Sequence, residues 1–236
     1  GKKLPKQLPK LNLRQHFANE GYNNLADYSE ASMAEVIEVT GEVTERIGAP
    51  TYVACLSLDS NKFKGYVVAA TASMPDYQKI IPEIQKRLSA YLNEDEGMSV
   101  DKDDFNDIEI SDIQFLDWAN EEAEFLKVAD HKGGEIAMAF FRDENKLSKF
   151  MASADEDMVT VSLGDITTDE PVECDIYIHM PVNGRYLLYT RKGQKIMDNQ
   201  RPRLEKHGVN ELHIKKGDIK KFKKYQAKTF INSKAS

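Results

Sequence analysis

Cysteine is scarce in this chain: Cys55 and Cys174 are its only two. They stand in separate apolar, strand-like segments, which speaks against a disulfide framework and for small core residues of a reducing compartment. Long hydrophobic runs are missing as well. Stretches such as YVVAA at Tyr66–Ala70 fall far short of the roughly 20 residues that span a bilayer. No segment has signal-peptide character, so a cytoplasmic location is expected. The chain opens on Gly1 rather than Met, which points to a processed or internal start and leaves room for an upstream domain or anchor. Catalytic signatures are equally sparse. There is no Walker-type or GxGxxG phosphate loop, no serine in a nucleophile elbow, and no activating context beside either cysteine. The five histidines, His16, His131, His179, His207 and His213, are scattered without ligand spacing. The acidic run DKDDFND from Asp101 to Asp107 fails as a calcium loop, because Asn106 and Asp112 stand where a glycine and a glutamate are needed. The expectation is a protein without catalytic residues, metal or cofactor.

What is present is charge, unevenly placed. Hydrophobic residues make up 41% and charged residues 30%, a globular rather than a disordered mixture. The net charge of −7 conceals three zones. Residues 1–15 carry five Lys/Arg and no acids, residues 16–170 carry 12 against 33 Asp/Glu, and residues 171–236 carry 15 against 6. The sign changes near Pro171, inside the polar stretch GDITTDEPVE, which reads as a domain boundary. Three parts are therefore expected: a basic, extended leader over 1–20, an acidic domain over 21–165 and a small basic domain over 171–232.

Periodicity fills these parts with elements. SEASMAEVIEVTGEVTERIG predicts a helix capped by Ser29 and closed by Gly48, with Met33, Val36, Ile37 and Val43 on its apolar face. TYVACLSLD and KGYVVAATA read as strands joined by a turn at SNKF. PDYQKIIPEIQKRLSAYL predicts a second helix, kinked at Pro82 or starting there. Strands follow around IEISDIQFLDW, EFLKVAD and EIAMAFF, with HKGG as a turn, then a short helix in DENKLSKFMA and a strand in MVTVSL. An antiparallel sheet covered by helices on one side buries this order. In element order it resembles the roadblock family of profilin-like domains. The last part reads β-β-α-β-α, with an Asn183–Gly184 hairpin, Asp198 and Asp218 as helix caps, and Gly208 as a helix end. The fold class expected is α+β in two domains, with the small basic unit docked on the acidic one.

Three runs in the last part carry a second resemblance: DIYI at Asp175–Ile178, RYLLYTRKGQ at Arg185–Gln194 and LEKHGVNELHIKKGDIKKF at Leu204–Phe222. Together they are similar to a small accessory module of bacterial signalling proteins, where it accompanies cyclic-di-GMP-related and two-component output domains, including HD-type phosphohydrolases. The resemblance covers roughly a quarter of the chain and implies a signalling context without implying chemistry. The residues of the related catalytic and receptor sites are missing. Asp130 and His131 form the only adjacent Asp/His pair and stand in reverse order, and Arg201 and Arg203 are too close together for a PilZ-type arginine motif.

The lysine-dense run from His213 to Lys228 closes the argument. Ile219, Phe222, Tyr225 or Gln226, and Phe230 form an apolar stripe, and Lys220, Lys221, Lys223, Lys224 and Lys228 take the other face. A solvated face is the plain reading; docking to acidic protein is the next. The sequence as a whole points to a non-enzymatic bacterial signalling adaptor that binds a protein partner or a cyclic-dinucleotide-type anion, with a homodimer as a further assembly it allows. For such an anion the expected ligands are Arg185, Arg191, Lys192, Arg201 and Arg203, since paired arginines grip phosphate in bidentate fashion. A phosphohydrolase assembled only by the fold is the alternative. Nucleic acid comes third, because the acidic part repels a polyanion.

Overall fold

The computed structural model describes residues 12–41, 43–48, 51–101, 104–110, 114–143, 151–152, 157–168, 170–182 and 184–234. Within these residues the chain is a mixed α+β protein with five α-helices and two antiparallel sheets. It divides into two compact units, with the division between residues 144 and 145.

The first unit contains β1 (Asn12–Ala18), α1 (Asn23–Thr40), β2 (Thr51–Asp59), β3 (Lys64–Thr71), α2 (Met74–Asp95), β4 (Phe105–Ile110), α3 (Phe115–Glu122), β5 (Phe125–His131) and β6 (Gly134–Arg142). Its six strands lie in the order β1-β5-β6-β3-β2-β4. Strand alternation gives the sheet two apolar faces. Leu56 and Leu58 of β2, Val67 of β3 and Phe140 of β6 share one core with Leu25, Met33 and Val36 of α1 and Ile80, Ile84 and Leu88 of α2. On the other face Trp118 of α3 stacks on Phe141 with ring centroids 4.0 Å apart. Helices therefore lie on both faces, where one covered side was expected. The segment around Phe115–Trp118, expected as a strand, is helical, although both side chains are buried as a core reading requires.

Two further expectations are corrected here. Part of the basic leader is an edge strand: Asn12 to Ala18 pair antiparallel with β5, with an irregularity between Leu13 and Gln15. Helix α1 starts at Asn23 rather than after Ser29 and ends at Gly41, whose φ of 82° closes it. Ser29 and Ser32 are buried mid-helix, and each hydroxyl donates to the carbonyl four residues back. That local satisfaction is why a serine that looks like a cap is tolerated inside the helix. Helix α2 runs through Pro82 and is capped at its start by Ser73, whose hydroxyl accepts from the Asp76 amide.

After α1 the backbone is pinned by two buried carboxylates. Asp76 accepts from the Thr44 amide at 3.1 Å and from the Thr44 hydroxyl at 2.8 Å. Glu135 accepts from the Ile47 amide at 3.1 Å and pairs with Arg14. Gly134 makes the close approach possible, since a Cβ there would sit 2.2 Å from the Val43 carbonyl oxygen.

The second unit contains β7 (Met151–Ala152), β8 (Met158–Ser162), β9 (Ile176–Met180), β10 (Arg185–Thr190), α4 (Arg201–Lys206), β11 (Glu211–Lys215) and α5 (Ile219–Lys234), and its sheet runs β10-β9-β11-β8-β7. The short helix expected in DENKLSKFMA lies mostly outside the described residues; Met151 and Ala152 at its end are strand β7. Strand β8 belongs to this sheet, paired along its length with β11 from Glu211↔Ser162 to Lys215↔Met158. The expected boundary near Pro171 is therefore displaced. The polar stretch before Pro171 is tied down within the unit, because Tyr225 of α5 donates its hydroxyl to the Thr167 carbonyl and accepts from the Thr167 amide, both at 3.0 Å. Redrawn at the observed division, residues 1–144 carry 15 Lys/Arg against 27 Asp/Glu and residues 145–236 carry 17 against 12. The asymmetry of sign persists and its amplitude falls.

The close approach at Gly134 yields a test. Gly134→Ala is expected to destabilise the protein by about 1–3 kcal/mol through forced backbone movement. Gly217→Ala, where a Cβ meets nothing within 4 Å, should stay within about 0.5 kcal/mol. Urea unfolding midpoints of the two variants make the comparison.

Candidate functional site: the outer hairpin and open face of the second sheet

Alternation divides the side chains of the second sheet. Val159 and Val161 of β8, Ile176 of β9 and Leu212 and Ile214 of β11 pack with Leu204 of α4 and Phe222 and Tyr225 of α5. The residues between them point to the opposite face, where the ladder aligns Thr160, His213 and Tyr177 across three strands. Tyr186 of β10 joins them opposite His179 of β9. The His179 and Tyr186 ring centroids are 4.9 Å apart, Tyr186 and His213 5.0 Å, and His179 and His213 5.8 Å. The Thr160 hydroxyl lies 3.3 Å from His213 Nδ1. Burial, together with the neighbouring His179, holds the His213 imidazole below its ordinary pKa; the Glu211 charge works the other way.

Strand β10 is one of the two outer strands of the sheet, and its hairpin with β9 is unusually apolar at the surface. Val182 is 99% exposed, Leu187 57%, Met180 42% and Leu188 38%. These four belong to a group of only seven large hydrophobic side chains exposed among the described residues, so the apolar surface is concentrated on one hairpin. The hairpin is also free of acids. Between Asp175 and Asp198 the chain carries Arg185, Arg191, Lys192 and Lys195 and no aspartate or glutamate.

The five residues expected to bind an anion do not form one cluster. Arg185 pairs with Met180 at one end of β10, and Arg191 follows Thr190 at the other, about 20 Å away at strand rise. Lys192 lies in the turn after β10, where its amide donates to Asp175 Oδ1 at 2.8 Å. Arg203 on α4 is exposed and within electrostatic reach of Tyr189, whose phenol burial pushes up. Arg201 is occupied structurally: its guanidinium donates to the Ile166 carbonyl and, at 3.4 Å, to the Leu163 carbonyl. Arg191, Lys192 and Arg203 thus remain as exposed cations at the Tyr189 end of the strand, and Arg185 stands apart. The Asp198 carboxylate accepts from the Thr168 hydroxyl and that of Asp218 from Lys221. On α5, Phe222 and Tyr225 are buried and Lys220, Lys221, Lys224 and Lys228 exposed, as the stripe implied, whereas Lys223 and Phe230 are each half-buried. Sequence reasoning missed the Tyr–His face, because its members come from four strands. The only signal for it was polar residues alternating with the apolar ones in DIYIHM and ELHIK.

Among the described residues no group of three or more His, Cys, Asp or Glu can hold a metal ion, and no helix is long and apolar enough to cross a membrane. Comparison with family models, curated proteins and solved structures returned no match.

The depressed pKa of His213 has a definite sign in stability. The unfolded imidazole binds its proton near pH 6.5 and the folded one only at lower pH, so stability is full above that value and is lost as pH falls through the folded pKa. Thermal unfolding between pH 7.5 and 5 should show the wild-type midpoint falling more steeply than that of His213→Asn. Parallel curves would deny His213 this role.

Proposed function

We propose that this chain is a non-enzymatic regulatory adaptor of bacterial signalling, built of an acidic and a basic domain, whose basic domain docks a protein partner at the β9–β10 hairpin. The supporting observation is the concentration of exposed apolar side chains on one acid-free hairpin at a sheet edge. Surfaces of monomeric proteins rarely gather apolar side chains in this way unless something covers them. The signalling context comes from the resemblance of the last quarter of the chain to an accessory module of cyclic-di-GMP-related and two-component proteins. The resemblance of the first unit to roadblock domains, in element order, belongs to the same reading. A photo-crosslinking residue at Leu187 of the full chain should capture a partner in cells, and the adduct should vanish with Leu188→Asp. Equal capture from Lys224 would move the docking surface to the lysine face of α5.

A second reading rests on Arg203, within electrostatic reach of Tyr189, and on Arg191 and Lys192, exposed just after it in the chain, a combination suited to a phosphate and a base. Under it, calorimetry against cyclic-di-GMP should show saturable binding that survives physiological salt. Arg191→Ala and Arg203→Ala should each weaken binding about tenfold, near 1.4 kcal/mol. Arg201→Ala should lower stability instead. Unchanged affinity in the Arg191 and Arg203 variants removes this site.

A further inference from the structure

The three other sheet edges show what is unusual about β10. Edge strands present unpaired amides and carbonyls, and proteins guard them with charge or brevity. β1 carries Arg14 and His16, both exposed, and β4 carries exposed Asp107 and Glu109. β7 has two residues. β10 has six residues and presents Leu187 and Leu188, side chains on both faces of the strand and both exposed. Among the described residues no strand pairs with its outer side. Among the described residues it is the one edge of the four that is long enough and apolar enough to accept another strand.

Charge decides between occupants. A second copy pairing antiparallel through β10 would bring two acid-free hairpins together, each with Arg185, Arg191, Lys192 and Lys195. Like charges facing across a ladder are destabilising. An extended segment with acids at its ends meets the opposite situation. One acid would approach Arg185, the other Arg191 and Lys192, and the residues between would alternate over the two faces. Those on one face meet Tyr186 and Leu188 beside the His179–His213 cluster; those on the other meet Leu187 and, across β10, Ile178.

We propose that β10 is a strand-addition site for an extended partner segment of about six residues, apolar in its middle and acidic at both ends. This rests on the adaptor reading and specifies its partner. Main-chain hydrogen bonds supply the affinity, and the flanking cations set direction and register.

The test uses the full chain and the acetylated, amidated peptide Glu-Glu-Val-Thr-Val-Thr-Val-Glu-Glu, alongside the same peptide N-methylated at alternate residues. Methylation keeps the side chains and removes amide donors. Fluorescence anisotropy should show saturable binding of the plain peptide, and about tenfold weaker binding, or none, for the methylated one. Arg185→Glu combined with Arg191→Glu should abolish binding of the acidic peptide and admit its lysine-flanked counterpart. Equal binding of plain and methylated peptides overturns strand addition while leaving the docking reading standing. Binding of neither overturns both. Sedimentation equilibrium closes the remaining route: a dimer that dissociates on Leu187→Asp would place a second copy on β10 and overturn the proposal.

Discussion

Pairing between β8 and β11 is the constraint on which the second unit depends. Five register pairs join Met158–Ser162 to Glu211–Lys215 across about fifty residues of intervening chain. That ladder places β11 in the middle of the sheet with β9 on its other side, and so sends the β9–β10 hairpin to the rim. It also sets the inward row, Val159, Val161, Leu212 and Ile214, beneath α4 and α5. Everything that points the other way follows from the same register, because a strand's side chains alternate by rule. The Thr160, His213 and Tyr177 row and the rim of exposed leucines are consequences of one pairing.

The first unit solves a different problem. Its long sheet is apolar on both faces, so α1 and α2 on one side do not suffice, and Trp118 of α3 packs on Phe141 from the other. The segment after α1 then has to cross polar ground, and it does so on Asp76 and Glu135, each accepting more than one hydrogen bond. A buried carboxylate is tolerated where its oxygens are occupied in this way. Edges of this sheet are charged, whereas the outer edge of the second is apolar and basic. The contrast between the two units is one of edge design as much as of net charge.

Much of the element order was legible from periodicity and turns. The SNKF and HKGG turns, the body of helix α2 from Pro75 to Leu92, the β9–β10 hairpin and the buried stripe of Phe222 and Tyr225 all have local causes. The misreadings have local causes as well. Ser29 has the chemistry of a cap, but its hydroxyl finds a carbonyl within the helix. Pro171 sits at a change of charge sign, but charge sign says nothing of strand partners. Of the five expected anion ligands, Arg201 illustrates the general difficulty: a guanidinium that satisfies backbone carbonyls looks the same in sequence as one that awaits a phosphate.

The sequence by itself determined the α+β class, the uneven placement of charge, the acid-free hairpin and the apolar character of the strands, because these depend on residue types at short spacing. Tertiary structure decided that MVTVSL belongs with the basic unit, that part of the basic leader is an edge strand, and that two histidines and two tyrosines share one face. Those facts depend on long-range register, and register is chosen by the burial of all the strands together rather than by any one of them.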